Sequence, residues 1–291
     1  MIDGINCRVH GKSFQNVMHC DKLQFKDYPN RTEAKYKGLI VTIYRNAKTC
    51  YLRGSIHKFK NDGLHNADLF TYQDFVSSLH KLETELGIYS SDLQIVRFEI
   101  GVNVPLSYPP WQCINVISEI NNKIPTRKSN ILLLEYAQYV VKVYSKKAKK
   151  TEFVEQNILR IEIAYLKKQK LTQDICKLYT LDELLNPSIW NKVANILRML
   201  VSKFTFFDYS EMKNKRLTTE EKEIFDVWSN AVRILQEPNR SMVCRKRKKA
   251  NEIYLKYSEN KKAGELINQM NLRLDESLMF SAIDAIILPI I

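Results

Sequence analysis

Ile95-Val96-Arg97-Phe98-Glu99-Ile100-Gly101-Val102-Asn103-Val104 is the stretch whose reading decides the fold. Val96, Phe98, Ile100, Val102 and Val104 alternate with Arg97, Glu99 and Asn103. A period of two with one apolar side belongs to a β-strand that buries one face and leaves the other wet. Upstream, residues 38–46 and 49–57 are β-rich and joined by Asn46-Ala47-Lys48, which reads as a hairpin. Downstream, strand signals recur at 131–134, 138–146 and 158–167. Between these, Thr71 with Asp74 makes a capping box. Phe75, Val76, Leu79, Leu82 and Leu86 follow at helical spacing, and Gly87 stops the helix. Pro109-Pro110 opens a further expected helix through Asn122, and a basic loop runs from Lys123 to Asn130.

Beyond Leu171 the pattern turns helical, at 172–185, 188–206, 218–236, 241–257 and 261–272. Strands and helices interleave without the Gly-rich turns of a dinucleotide fold. The expected class is therefore α+β: an antiparallel-type sheet with helices on one face, followed by a helical C-terminal region. The expected division is 1–170 and 171–291. Arg97-Phe98-Glu99-Ile100 recurs as Arg160-Ile161-Glu162-Ile163, which suggests two β-α halves that bring two carboxylates towards each other.

Composition narrows the function. The chain has 291 residues, 45 % of them hydrophobic, which excludes wholesale disorder. Its apolar stretch 278–291 contains Asp284 and is shorter than the roughly 20 residues a spanning helix needs. With no signal-peptide pattern after Met1, the expectation is a soluble, cytoplasmic protein. The six cysteines include no C-x-x-C pair and the five histidines no closely spaced pair, so zinc and redox sites are not expected. His10-Gly11-Lys12-Ser13 ends like a phosphate-binding loop but has Asn6 where that loop needs glycine. Neither a G-x-S-x-G elbow nor a G-x-G-x-x-G turn occurs.

A net charge of +13 points to a polyanionic partner, since each cation placed on a phosphate releases a counterion. The cations cluster. Lys142, Lys146, Lys147, Lys149 and Lys150 fall together, and Arg240, Arg245, Lys246, Arg247, Lys248, Lys249, Lys256, Lys261 and Lys262 form a second block. Tyr254 and Tyr257 lie inside that block, as candidates for base stacking.

The strand at 138–146 places Val140, Lys142, Tyr144 and Lys146 on one side. Two lysines flanking a tyrosine favour the phenolate, the nucleophile needed to attack a phosphodiester. Glu99 and Glu162 are either surface carboxylates paired with Arg97 and Arg160 or ligands of a hard divalent cation that polarises the phosphate. His65, in Leu64-His65-Asn66, is a candidate third ligand.

Five segments in order resemble one family. They are Met1-Ile2-Asp3; Gly54-Ser55-Ile56-His57-Lys58 with Gly63-Leu64-His65-Asn66; Arg97-Phe98-Glu99; Val143-Tyr144-Ser145-Lys146; and Leu159-Arg160-Ile161-Glu162. Over about residues 1–170 the chain resembles the rolling-circle replication initiators of filamentous phages and plasmids, the gene II/gene X family, akin to the HUH endonucleases. The resemblance implies a Tyr144 nucleophile with Lys146 beside it. It further implies a Mg²⁺ or Mn²⁺ ion on Glu99 and Glu162, with His65 as a third ligand, and DNA contacts from Lys58 and Asn66. Lys142, Lys147, Arg245, Lys246, Arg247, Lys248 and Lys249 are the further expected DNA contacts, on charge. The expected partners are single-stranded or hairpin origin DNA and a host polymerase and helicase, with no membrane. The chain lacks the family group's His-hydrophobic-His pair. The alternative is a non-catalytic DNA-binding regulator that keeps the sheet as a scaffold.

Overall fold

The structure is a computed structural model and describes residues 1–146, 157–230, 234 and 236–279. The chain first runs β1 (Ile2–Val9), α1 (Gly11–His19), β2 (Lys26–Tyr28), β3 (Arg31–Tyr36), β4 (Leu39–Tyr44), β5 (Thr49–Ser55), α2 (Ile56–Lys60) and α3 (Tyr72–Leu86). It then runs β6 (Leu93–Pro105), α4 (Pro110–Val116), β7 (Ile117–Ile120), β8 (Thr126–Lys128), β9 (Ile131–Glu135), β10 (Tyr139–Lys146), β11 (Ile158–Tyr165), α5 (Lys168–Asp174) and α6 (Pro187–Val201). After β12 (Phe204–Phe206) come α7 (Tyr209–Met212), α8 (Thr219–Trp228), α9 (Arg240–Tyr257) and α10 (Lys261–Ser277).

Ten strands form one antiparallel sheet in the order β2-β3-β4-β5-β1-β6-β11-β10-β9-β8. From the central β1–β6 pair, one side adds β5, β4, β3 and β2, and the other adds β11, β10, β9 and β8. Each half is thus a strand, a helix, an antiparallel meander and closing helices, related across the pair in which Ile5 faces Phe98. The sequence echo is not the mark of this repeat. Arg97–Ile100 and Arg160–Ile163 lie on β6 and β11, which are neighbours within one half.

Alternation sets the faces. Leu39, Val41 and Ile43 of β4 and Val141 and Val143 of β10 point into the core, as do Leu159, Ile161 and Ile163 of β11. They meet Phe75, Leu79 and Leu82 of α3, Trp190, Val193 and Leu197 of α6, and Leu266, Met270 and Leu274 of α10. Trp190 packs 5.5 Å from both Tyr72 and Phe75. Residues on both sides of position 170 therefore share one core. A second, smaller cluster gathers Phe207, Met212, Ile224, Phe225, Ile253 and Tyr254.

Local signals act as their chemistry dictates. The Thr71/Asp74 capping box is formed, and Gly87 closes α3 at φ +65°, the left-handed conformation open to glycine. In β6 the ladder to β1 passes from Asn6↔Arg97 to Cys7↔Ile95, so Val96 is the extra residue of a β-bulge. Ile95 is therefore buried and Val96 only half-buried, and the expected alternation holds from Phe98 onward. The helix expected through Asn122 stops at Val116, because Ile117–Ile120 pairs as β7 with β12. The expected helix at 172–185 is the short α5 followed by a 3₁₀ turn at Asp182–Leu185, and that at 188–206 ends at Val201. Among the described residues, no helix is long and apolar enough to cross a membrane.

Candidate active site

The sheet face away from the core helices carries the polar residues. Lys142, Tyr144 and Lys146 of β10 point there because Val141 and Val143 fill the core. Register does the rest. Lys142 lies opposite Glu162 and Tyr144 opposite Arg160. On the next strand Glu162 lies opposite Gly101, Arg160 opposite Asn103, and Glu99 opposite Ala164. Two rows, Lys142–Glu162–Gly101 and Tyr144–Arg160–Asn103, so cross three strands.

Two glycines make room for the charges. A Cβ on Gly101 would stand 3.0 Å from the Arg160 guanidinium and 2.6 Å from the Ile161 carbonyl oxygen. One on Gly4 would overlap Oε2 of Glu99.

Glu162 is the hub. It accepts from Lys142 Nζ at 2.8 Å, from the Tyr144 hydroxyl at 3.2 Å and from Arg160 Nε at 3.4 Å. Arg160 also donates to Asp3 at 2.9 Å and to Asn103 at 3.1 Å. Asp3 further accepts from Asn66 at 2.9 Å and from the Ser55 hydroxyl. Asn103 accepts from Lys146 at 3.5 Å and donates to the backbone carbonyl of Asn66 at 2.9 Å. Ser55 caps α2 by accepting the Lys58 amide at 2.9 Å. The Gly54–Lys58 segment thus works as a bracket for Asp3, and the Lys58 side chain packs against Gly38.

Electrostatics follow from burial and neighbours. Burial alone would raise the Glu162 carboxyl, but Arg160 and Lys142 hold it below its ordinary value. Asp3 behaves likewise, with burial outweighed by Arg160 and Lys146. Glu99 is raised by burial and by Glu162, the opposite direction to Asp3 and Glu162. Tyr144 is raised by burial, against Arg160, and further by the Glu162 charge, which corrects the expectation that two lysines favour the free phenolate. Lys146 is lowered to about 7 by burial and by Arg160. It is therefore not a permanent cation.

Asp3, Glu99, Lys142, Tyr144, Glu162 and Asn66 line one cavity of about 380 Å³. His65 stands outside its lining. It lies 3.5 Å from Asp68, which also holds the buried His57 at 2.6 Å. Lys142 sits between the two glutamates, 2.8 Å from Glu162 and 3.6 Å from Glu99. Among the described residues, no group of three or more His, Cys, Asp or Glu is placed to hold a metal ion. The two glutamates are a hard-oxygen pair around a cation, the donor set that a magnesium-like ion shares with substrate phosphate.

No family model, curated protein or solved structure matches this chain.

The remaining expected contacts lie apart. Lys147 falls outside the described residues. On α9, Arg245, Lys248 and Lys249 are exposed and Lys246 is half-buried. Arg247 is instead buried against Glu119, which removes it from any solvated basic face. Tyr254 is 1 % exposed, between Phe207 and Phe225, so it is not presented for stacking on bases, whereas Tyr257 is half-buried and donates its hydroxyl to Glu221 at 2.8 Å. Glu162, buried with Arg160, is not a surface carboxylate. Asp3, Ser55 and Arg160 stand in the segments that carry the resemblance, and Asn103 on the polar side of its strand, but sequence reasoning assigns none of them a site role. The available signal was Arg160 and Glu162 themselves: two charges in the otherwise apolar run 158–165, in a strand buried on both faces.

Proposed function

We propose that this protein is a metal-dependent DNA endonuclease that nicks one strand at a replication origin and initiates rolling-circle replication. The observation that carries this reading is Tyr144 on an open sheet face, hydrogen-bonded to Glu162 within a cavity that also holds Glu99 and Lys142. Tyr144 Oη attacks the scissile phosphorus, the bond to the 3′ oxygen breaks, and the 5′ phosphate stays on the tyrosine. Glu162 orients the hydroxyl through its hydrogen bond, and the neutral form of Lys146, two residues on along the same strand face, takes the tyrosine proton. Lys146, poised at about 7, hands a proton to the departing 3′ oxygen. Lys142, which lines the cavity, stabilises the charge that builds on the phosphate, and the buried Arg160 positions Glu162 and Asp3 beneath it. Reversal of these steps rejoins the displaced strand into a circle.

Glu99 and Glu162 would hold Mg²⁺ or Mn²⁺; when bound, the ion polarises the phosphate oxygens. The partners of this reading are single-stranded or hairpin origin DNA, and a host polymerase and helicase that use the free 3′-OH, in the bacterial cytoplasm. Arg245, Lys248 and Lys249 supply backbone contacts at a distance from the cavity. One observation favours a second reading, a non-catalytic DNA-binding regulator: burial and Glu162 raise the Tyr144 hydroxyl rather than activating it.

Single-stranded oligonucleotides tiled from the DNA around the gene, labelled at the 3′ end, separate the two. Incubation with Mn²⁺ is expected to give a labelled band at the protein's mass on a denaturing gel. The band should vanish with EDTA and in Tyr144→Phe. A wild-type yield of adduct from Tyr144→Phe would refute the nucleophile, and salt-sensitive binding without any adduct would favour the regulator.

A further inference from the structure

The two halves of the sheet place a second tyrosine where the first half matches the second. β4 and β10 hold equivalent positions outward from the β1–β6 pair. Val41-Thr42-Ile43-Tyr44 on β4 echoes Val141-Lys142-Val143-Tyr144 on β10. The companions differ. Tyr44 lies opposite Thr49 where Tyr144 lies opposite Arg160, and Thr42 lies opposite Tyr51 where Lys142 lies opposite Glu162. The first half thus keeps the tyrosine but, on the strand that matches β11, has Thr49 and Tyr51 where the second half has Arg160 and Glu162.

What it presents instead is aromatic and basic. Cross-strand register builds three rows on the open face: Tyr28–Arg31–Tyr44–Thr49, Glu33–Thr42–Tyr51–Arg8, and Lys35–Ile40–Arg53–Asn6–Arg97. Tyr44 and Tyr51 meet edge to face at 5.9 Å, and Arg31 lies 5.0 Å over the Tyr28 ring. Glu33 is the one carboxylate in these rows, and it serves both Arg31 at 3.0 Å and Arg53 at 2.8 Å. Five cations against one carboxylate leave the face positive. Asn6, Thr42, Tyr44, Thr49, Tyr51 and Arg53 line a groove of about 330 Å³. Asn6 also lines the Tyr144 cavity, so groove and cavity adjoin across β1.

We infer that the first half of the sheet is a binding platform for single-stranded DNA, with bases stacked on Tyr44 and Tyr51 and phosphates drawn to Arg8, Arg31 and Arg53. Aromatic rings interleaved with cations on an open groove are the surface that takes a single strand without reading its sequence. A duplex keeps its bases stacked on one another and gains only the charge contacts. The inference rests on the nicking reading for the identity of the substrate, and places the DNA that flanks the scissile phosphate on this platform.

The test separates the two. Fluorescence anisotropy with a labelled, mixed-sequence oligonucleotide of about 20 nucleotides, in EDTA, reads binding alone. Tyr44→Ala and Tyr51→Ala are each expected to weaken binding about five- to a hundred-fold, while Tyr44→Phe and Tyr51→Phe keep wild-type affinity. Unchanged thermal melts certify that each variant is folded; because the hydroxyls are not needed for stacking, the phenylalanine pair keeps the test valid if an alanine variant melts early. Wild-type affinity in both alanine variants would overturn the platform, as would a blunt duplex of the same length binding as tightly as the single strand. Loss of binding in the alanine variants, with no tyrosine adduct in any protein, would leave the platform standing and refute the nuclease. Adduct formation with unaltered affinity would do the reverse.

Discussion

Arg160 is a guanidinium 2 % exposed in the middle of a sheet, compensated by Asp3 and Glu162 and hydrogen-bonded to Asn103. Deleting one member of such a network strands the others without solvent, at about 3–5 kcal/mol. Arg160→Ala is therefore expected to lower the unfolding free energy by that amount in a urea titration. A loss under about 1 kcal/mol would mean that apolar packing, not this ion network, ties β1, β6 and β11 together. At this scale the sequence was half legible. Alternation alone puts Lys142, Tyr144 and Lys146 on one face, and Glu99 and Glu162 on another stretch of it. Asp3 and Asn103 were out of reach, because their link to Arg160 depends on a register that spans more than fifty residues of chain on one side and more than a hundred and fifty on the other.

α9 carries the basic block, and its two sides behave differently. Val243, Arg247, Ala250 and Tyr254 follow the spacing of one helical stripe, and that stripe turns inward. Arg247 therefore neutralises Glu119, while Arg245, Lys248 and Lys249 face water. Arg245→Ala and Lys248→Ala are each expected to reduce the slope of log affinity against log salt by about one. Arg247→Ala should leave that slope unchanged and lower the melting temperature, since Glu119 is left buried and unpaired. A reduced slope with an unaltered melt in Arg247→Ala would place Arg247 on the DNA instead. The charge run hid this division, whereas the 3.6-residue period within it held the answer. β7 is the opposite case. Four residues after a helix carry no period that tells strand from helix, and only the distant Phe204–Phe206 makes them a strand.

The molecule as a whole is organised by the two halves of its sheet, and its helical tail is not an appendage. Leu266, Met270 and Leu274 of α10 and Trp190 of α6 lie in the same core as the strands. A fragment of residues 1–170 is expected to lack a cooperative urea transition, because it would expose that core; a native-like transition in the fragment would show the sheet to be self-sufficient. The fold class was legible because strands announce themselves by a period of two. The pairing of the halves was not, since strand order is a long-range property and the conspicuous echo joins neighbours rather than equivalents. A sheet that does not close into a barrel has two rims, and here they are Lys26-Asp27-Tyr28 and Thr126-Arg127-Lys128, three residues each. Arg127 turns its guanidinium inward onto the carbonyl oxygens of Ile114 and Ile117. Short, charged rims give a foreign strand almost no ladder to extend. Two such sheets meeting edge to edge would therefore share a ladder of only three residues.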